Sequence, residues 1–211
     1  MQNNDFIRIS FEAKIKESGQ KFDSAEDIPI VVGGGYSLKG VEEILLEMKV
    51  GEKKTVEVVP EKAFGKRNAT LVKLISIAEF RRHGTKPVPG MTVDADNKRG
   101  RVLSVSGGRV RVDFNHPLAG KILIYEIEVK KKIETPEDKI KSLVEIFTRK
   151  DNVNVKIIGK EAEIELPPLI NSLFKKKIAD EIIRLLELER VKFVEVFEKP
   201  KEKKEQEQTN K

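Results

Sequence analysis

Without a cysteine, and with His83 and His116 as its only histidines, the chain has few side chains that could make or break a covalent bond. A disulfide framework and thiolate metal sites are excluded, and two histidines are too few for a histidine-rich metal centre. The glycine run Gly33–Gly35 lacks the Lys-Ser/Thr pair that follows in a phosphate-cradling loop, and no G-x-x-x-x-G-K motif occurs. These readings predict no metal and no cofactor. Noncovalent chemistry in an apolar pocket remains, and the stretch from Val32 to Gly65 has the pattern to build one. A glycine turn leads into a short helix with Val41, Ile44, Leu45 and Met48 on one face. Gly51 follows the helix end, and a strand over Lys54–Val59 stops at Pro60. Asp23 follows a turn and, taken alone, reads as a turn-capping acid.

The elements around that stretch are legible from periodicity. Phe6–Lys16 alternates, with Ile7, Ile9, Phe11, Ala13 and Ile15 on one side and Phe6, Arg8 and Ser10 on the other. Lys21–Asp23 and Ile28–Val32 read as two further strand pieces. Val72–Arg82 reads as a short amphipathic segment, and Met91–Asp94 and Arg101–Val105 as strands. Gly107-Gly108 before Val110, Val112 and Phe114 predicts a hairpin. Ile122–Val129 is a strongly apolar strand, so the β-rich segment 72–119 reads as an insertion between two strands of the first domain.

From Thr135 a third unit begins. Thr135-Pro136-Glu137-Asp138 is a helix start, followed by Ile140, Leu143, Val144 and Phe147 at helical spacing. Strands over Asn152–Ile158 and Ala162–Leu166 flank Gly159, and Pro167-Pro168 breaks the chain. Ile170, Leu173, Phe174, Ile178, Ile182, Leu185 and Leu186 form a second helical stripe, with a last strand over Val191–Phe197. So short an αββαβ unit has a marginal core, which makes the stripe a candidate homodimer face as well as a candidate intramolecular one. The charged tail 199–211 reads as disordered.

The chain of 211 residues is 38% hydrophobic, enough for a packed core, and no apolar run is long enough to span a bilayer. No apolar signal region opens the sequence, and a cytoplasmic protein is expected. The formal charge is +6, and the segment 72–119 alone holds nine basic residues against four acidic ones. A solvated basic surface or a nucleic-acid or ribosome contact would each account for it.

Several segments in order then carry a family pattern: Gly19-Gln20-Lys21-Phe22-Asp23-Ser24, Val32-Gly33-Gly34-Gly35, Leu38-Lys39-Gly40-Val41-Glu42-Glu43, Met48-Lys49-Val50-Gly51-Glu52 and Pro60-Glu61-Lys62-Ala63-Phe64-Gly65. The succession resembles FKBP-type peptidyl-prolyl cis–trans isomerases. Asn115-His116-Pro117-Leu118-Ala119-Gly120 resembles the group with a domain inserted in the flap, as in SlyD chaperones, and the C-terminal unit is similar to the long archaeal members. The resemblance implies an α+β protein. An antiparallel sheet would wrap a short helix (1–71 and 120–133), with a β-rich insert-in-flap domain at 72–119 and an αββαβ domain at 134–198.

By the same resemblance, Phe11, Phe22, Asp23, Leu38, Val41, Phe64 and Tyr125 would form the catalytic pocket, with Ile28 and Ser37 as further substrate contacts. Phe11 and Phe64 stand where the family generally has Tyr, Val41 where it has a larger aromatic, and Ser37 where it has an aliphatic residue, which predicts weakened catalysis. His116 reads as a loop-structuring residue. The X–Pro bond rotates over a barrier of about 18–20 kcal/mol because rotation breaks amide resonance. A twisted imide carries less charge separation than the planar one, so an apolar, water-poor pocket favours it without nucleophile, metal or cofactor. Expected partners are unfolded or partly folded polypeptides containing X–Pro, held on the insert by Met91, Val93, Val102, Val105, Val110, Val112 and Phe114. A non-catalytic adaptor that binds ribosome or RNA through the basic insert is the alternative.

Overall fold

The computed structural model describes residues 1–95, 98–151, 153–166 and 170–196. In chain order these form β1 (Phe6–Ile15), β2 (Lys21–Val31), α1 (Lys39–Glu47), β3 (Lys53–Val58), β4 (Val72–Ser76), α2 (Ile77–Arg82), β5 (Thr92–Ala95) and β6 (Lys98–Ser106). They continue with β7 (Arg109–Asp113), β8 (Leu123–Ile133), α3 (Pro136–Thr148), β9 (Asn154–Ile158), β10 (Glu161–Leu166), α4 (Ser172–Leu186) and β11 (Arg190–Glu195). The class is α+β, with three sheets ordered β2-β1-β8-β3, β4-β7-β6-β5 and β11-β10-β9. Among the described residues no helix is long and apolar enough to cross a membrane.

The first sheet is antiparallel throughout. Its inner face follows the alternation of β1: Ile7, Ile9 and Ala13 are buried against Val41, Leu45 and Met48 of the helix segment. Gly40 lets α1 approach β3, because a Cβ there would stand 2.6 Å from a Val58 methyl carbon. The expected pieces Lys21–Asp23 and Ile28–Val32 are one strand, β2, with a bulge: Ile9 pairs Ile28 but Phe11 pairs Ala25. Asp27 takes φ 49° there, a left-handed conformation that Asp tolerates better than most residues.

The opposite face of β1 was expected to be polar. Phe6 is instead fully buried, packed with Val31, Ile133, Ile140, Leu143, Ile164, Ile178 and Ile182. The C-terminal unit covers that face, which alternation alone could not reveal. Arg8 spans the seam, with Nη1 donating to Glu145 Oε2 of α3 at 2.9 Å and Nη2 donating to the Asp27 carbonyl. Its buried Nε lies 3.0 Å from Asp27 Oδ1 without the alignment of a hydrogen bond.

Within the C-terminal unit, Thr135 caps α3 by accepting the Asp138 N–H, as the helix-start motif predicts. β9 and β10 pair antiparallel across Gly159, whereas β10 and β11 pair parallel, joined by α4 as a crossover. The α4 stripe divides: Ile178 and Ile182 are buried inside the unit, while Leu173 and Phe174 remain 69% and 45% exposed. The Pro167-Pro168 break, the strand end at Phe197 and the tail 199–211 lie outside the described residues, as does Asn152.

The inserted sheet has its own small core of Phe80, Val102, Val110 and Val112. The predicted amphipathic segment 72–82 splits into β4 and α2, with Ser76 capping the helix through the Ala78 N–H. Gly107 and Gly108 both take positive φ, the conformation a two-residue hairpin between β6 and β7 requires.

Candidate functional site

Ala13 pairs with Asp23 on one side and Tyr125 on the other, and Tyr125 pairs with Val56. One row of side chains therefore crosses the first sheet on its inner face. Ala13 is small and fully buried, so the tyrosine and the carboxylate face each other over a methyl group. Tyr125 is the centre of an aromatic set: Phe11 lies 5.8 Å from it, tilted, and Phe22 packs edge-on at 6.1 Å. Burial, and then the negative charge of Asp23, push the Tyr125 hydroxyl up to about 12, so it stays protonated through the physiological range. Asp23 itself is exposed, and its Oδ1 accepts the Ser24 N–H at 2.9 Å. The turn-capping reading is corrected: Asp23 lies within β2, paired with Ala13, and sits beside the aromatic set.

Ile28, Leu38 and Phe64 are half-buried against the same core, and Val41 beneath them is buried. Val41 is thus floor and core at once. Ser37 is occupied locally: its N–H and hydroxyl both donate to Glu42 Oε1 at 3.2 Å, in front of α1. Phe64 follows a short 3-10 turn at Pro60–Lys62 and stacks flat on His116, with centroids 4.1 Å apart and planes 8° from parallel. His116 does structure its loop, since Nδ1 accepts the Leu118 N–H at 3.2 Å. Its stack on Phe64 was not foreseen; two residues so far apart in sequence give no local signal of contact.

Two strands of chain join this patch to the insert, and polar contacts tie them. Asn68 N–H donates to Asn115 Oδ1 at 2.8 Å, and Asn115 Nδ2 returns a bond to the Asn68 carbonyl at 2.9 Å. Asp113 accepts from Asn115 and from Arg67, and these partners hold its carboxyl below its ordinary value against the opposing effect of burial.

On the insert's inner face, a cavity of about 660 Å³ is lined by Ile75, Phe80, Met91, Val93 and Phe114, among others. Of the residues expected to hold clients, Met91, Val93, Val105 and Phe114 are half-buried around the insert core. Val102, Val110 and Val112 correct the expectation: at 1%, 0% and 0% exposure they are the core itself and offer no surface. Ile75, which the sequence reading missed, is half-buried in the lining, and Phe80, also missed, belongs to the core and borders the cavity. Their signal was hidden because 72–82 changes from strand to helix at Ser76.

A family model described as "FKBP26, IF domain" matches residues 73–118, and one described as "FKBP26_C-terminal" matches 136–198. The chain is 36% identical over 126 residues to the short-type peptidyl-prolyl cis-trans isomerase of Methanocaldococcus jannaschii, which covers 59% of this chain and 80% of that protein. The chain belongs to the FKBP-type peptidyl-prolyl cis–trans isomerases. It is also 34% identical over 134 residues to a probable FKBP-type 16 kDa isomerase of Pseudomonas fluorescens, covering 60% of this chain and 87% of that protein. Against the SlyD isomerase of Helicobacter pylori, identity is 28% over 154 residues, covering 66% and 82%. This isomerase therefore carries the insert-in-flap segment that its motifs implied, and it acts on peptidyl-prolyl bonds.

Proposed function

We propose that the isomerase turns over X–Pro bonds on the aromatic patch of Phe11, Phe22, Phe64 and Tyr125 while its insert holds the unfolded chain that contains them. The observation that carries this reading is the half-exposed apolar lining at Ile75, Met91, Val93 and Phe114, joined to the patch by two short polar crossings. Apolar, water-poor surroundings lower the barrier because the twisted imide is less charge-separated than the planar amide. Phe22, Leu38 and Val41 supply that surrounding, and Ile28 extends it along β2. Asp23, exposed beside the protonated Tyr125 hydroxyl, orients the substrate carbonyl through its field. Phe64 has no hydroxyl to hold that carbonyl, which favours a modest intrinsic rate and a larger share for the insert.

Isolated X–Pro sites bind weakly, and a second contact raises the effective concentration of the chain at the patch. Methionine at position 91 suits varied partners. Deletion of Val72–Ala119 is expected to abolish catalysis of a proline-limited refolding reaction while sparing a tetrapeptide substrate. Met91→Glu with Val93→Glu should do the same with the insert left in place. Equal loss in both assays refutes the division of labour.

The exposed Leu173 and Phe174 support pairing with a second copy through the C-terminal unit, and a cytoplasmic setting suits a chain without cysteine. Sedimentation of Leu173→Glu with Phe174→Glu tests the pairing; an unchanged mass removes it.

A further inference from the structure

The outer face of the inserted sheet is unlike the client cavity behind it. Alternation puts Arg99 and Arg101 of β6 on this face with Arg109 and Arg111 of β7, and all four are exposed. In register, Arg111 lies beside Leu74 of β4, which is 64% exposed, and on its other side pairs with Ser104, which follows the bulge at Leu103. Among the described residues the carboxylates of this face, Asp94 and Asp113, are already engaged: Asp94 Oδ1 lies 3.3 Å from Arg99, and Asp113 is held by Arg67. Among the described residues, Arg101, Arg109 and Arg111 make no ion pair with a carboxylate. Like charges held on adjacent strands repel, so this face lowers its free energy when an anion arrives. From it a groove of about 850 Å³ runs along Arg67, Arg101, Leu103 and Lys121 to His116, the residue stacked on Phe64.

We propose that this arginine face recognises acidic segments of unfolded polypeptide and so biases the isomerase toward prolines flanked by Asp and Glu. Two observations favour a polypeptide over a nucleic acid. Two exposed leucines, Leu74 and Leu103, stand among the arginines, which suits a chain of mixed acidic and apolar residues. The aromatic rings of the groove, Phe114 and His116, are already engaged, the first on the insert core beneath Lys73 and the second stacked on Phe64, so bases of a single strand would find no open stacking platform there. The groove also leads to the patch where a peptide is turned over. The inference rests on the client-holding reading above but assigns a different surface and a stated client charge.

The test uses the full chain and three labelled peptides that share one apolar X–Pro core, flanked by Glu, by Lys or by Ser. In wild type the Glu peptide should bind roughly tenfold tighter than the Lys peptide at low salt, with the gap closing as salt is raised. Arg101→Glu with Arg111→Glu should reverse the order, and Arg101→Gln with Arg111→Gln should abolish it. Turnover of an uncharged tetrapeptide reports that both variants are folded, since neither position belongs to the patch. If either variant misfolds, the other still decides. No charge preference in wild type, or a preference that survives in the folded variants, overturns the proposal. So does tight binding of single-stranded RNA that the variants lose while the Glu peptide shows no advantage. Binding of the Ser peptide without a charge preference sinks this inference alone. Failure of the Ser peptide while the Glu peptide binds sinks the cavity reading and leaves the arginine face standing.

Discussion

The C-terminal unit and the insert are both additions to one sheet, yet they join it by opposite means. The C-terminal unit shares its core with the sheet. Phe6 and Val31 are buried among Ile140, Leu143 and Ile178, Tyr36 packs edge-on against Phe147 at 5.8 Å, and Arg8 bridges Asp27 and Glu145. The insert meets the sheet through the reciprocal Asn68–Asn115 bonds and the Arg67–Asp113 pair, and keeps a core of its own. Apolar surface shared across a seam makes two units fold as one, because neither can bury it alone. Polar junctions hold orientation at a much smaller stake. The unit remote from the patch is therefore the one on which the patch depends for stability, while the unit beside it can be altered with less cost to the fold.

The largest expected effect breaks the shared core. Phe6→Ala should lower unfolding free energy by about 3–5 kcal/mol, and the first sheet and the C-terminal unit should melt together in a denaturant titration. Separate transitions would show that the seam is weaker than its burial suggests. Arg8→Ala comes next, at on the order of 1–3 kcal/mol, since it leaves the half-buried Glu145 without its partner. It should also reduce tetrapeptide turnover, because the bulge at Asp27 sets where β2 carries Phe22 and Ile28. Stability lost with turnover intact would confine Arg8 to the seam.

Asn115→Ala at the insert junction should cost about 1 kcal/mol. Its turnover of unfolded protein should fall while tetrapeptide turnover holds, and the reverse pattern would contradict the contrast between the two attachments. The smallest effect is alkaline. Burial holds Tyr125 at about 12, and burial together with Glu181 of α4 holds Tyr36 at about 12, against an ordinary value of 10.0. A proton held more tightly in the folded chain than in the unfolded one stabilises the fold below pH 10 and ceases to do so as pH rises toward 12. The denaturation midpoint should fall across that window, less in Tyr36→Phe or Tyr125→Phe. Tyr36 reports the C-terminal seam and Tyr125 the patch, so the two variants divide the loss between the regions.

The sequence by itself determined what depends on neighbours in the chain. Val41, Ile44 and Leu45 mark a helix face, with Met48, expected on the same face, buried just past the helix end in extended backbone. Gly107-Gly108 mark a hairpin, Thr135 a cap and Ile7 to Ile15 an inner strand face, because each rests on spacing or local backbone preference. The ordered motifs from Gly19 to Gly65 made the family legible, and with it the residues of the aromatic patch. Tertiary structure alone decided what covers each face. Alternation assigned Phe6 to the polar side of β1, and only α3 and α4 packing there made it core. Val102, Val110 and Val112 had the pattern of an accessible apolar face until α2 and Phe80 closed over them, which leaves Ile75, Met91 and Phe114 as the half-buried apolar residues around that core. The Phe64–His116 stack, the parallel pairing of β11 and the arginines gathered on one sheet face all join residues distant in the chain. Contacts of that kind follow from which strands pair and in what register, and no local periodicity contains that information.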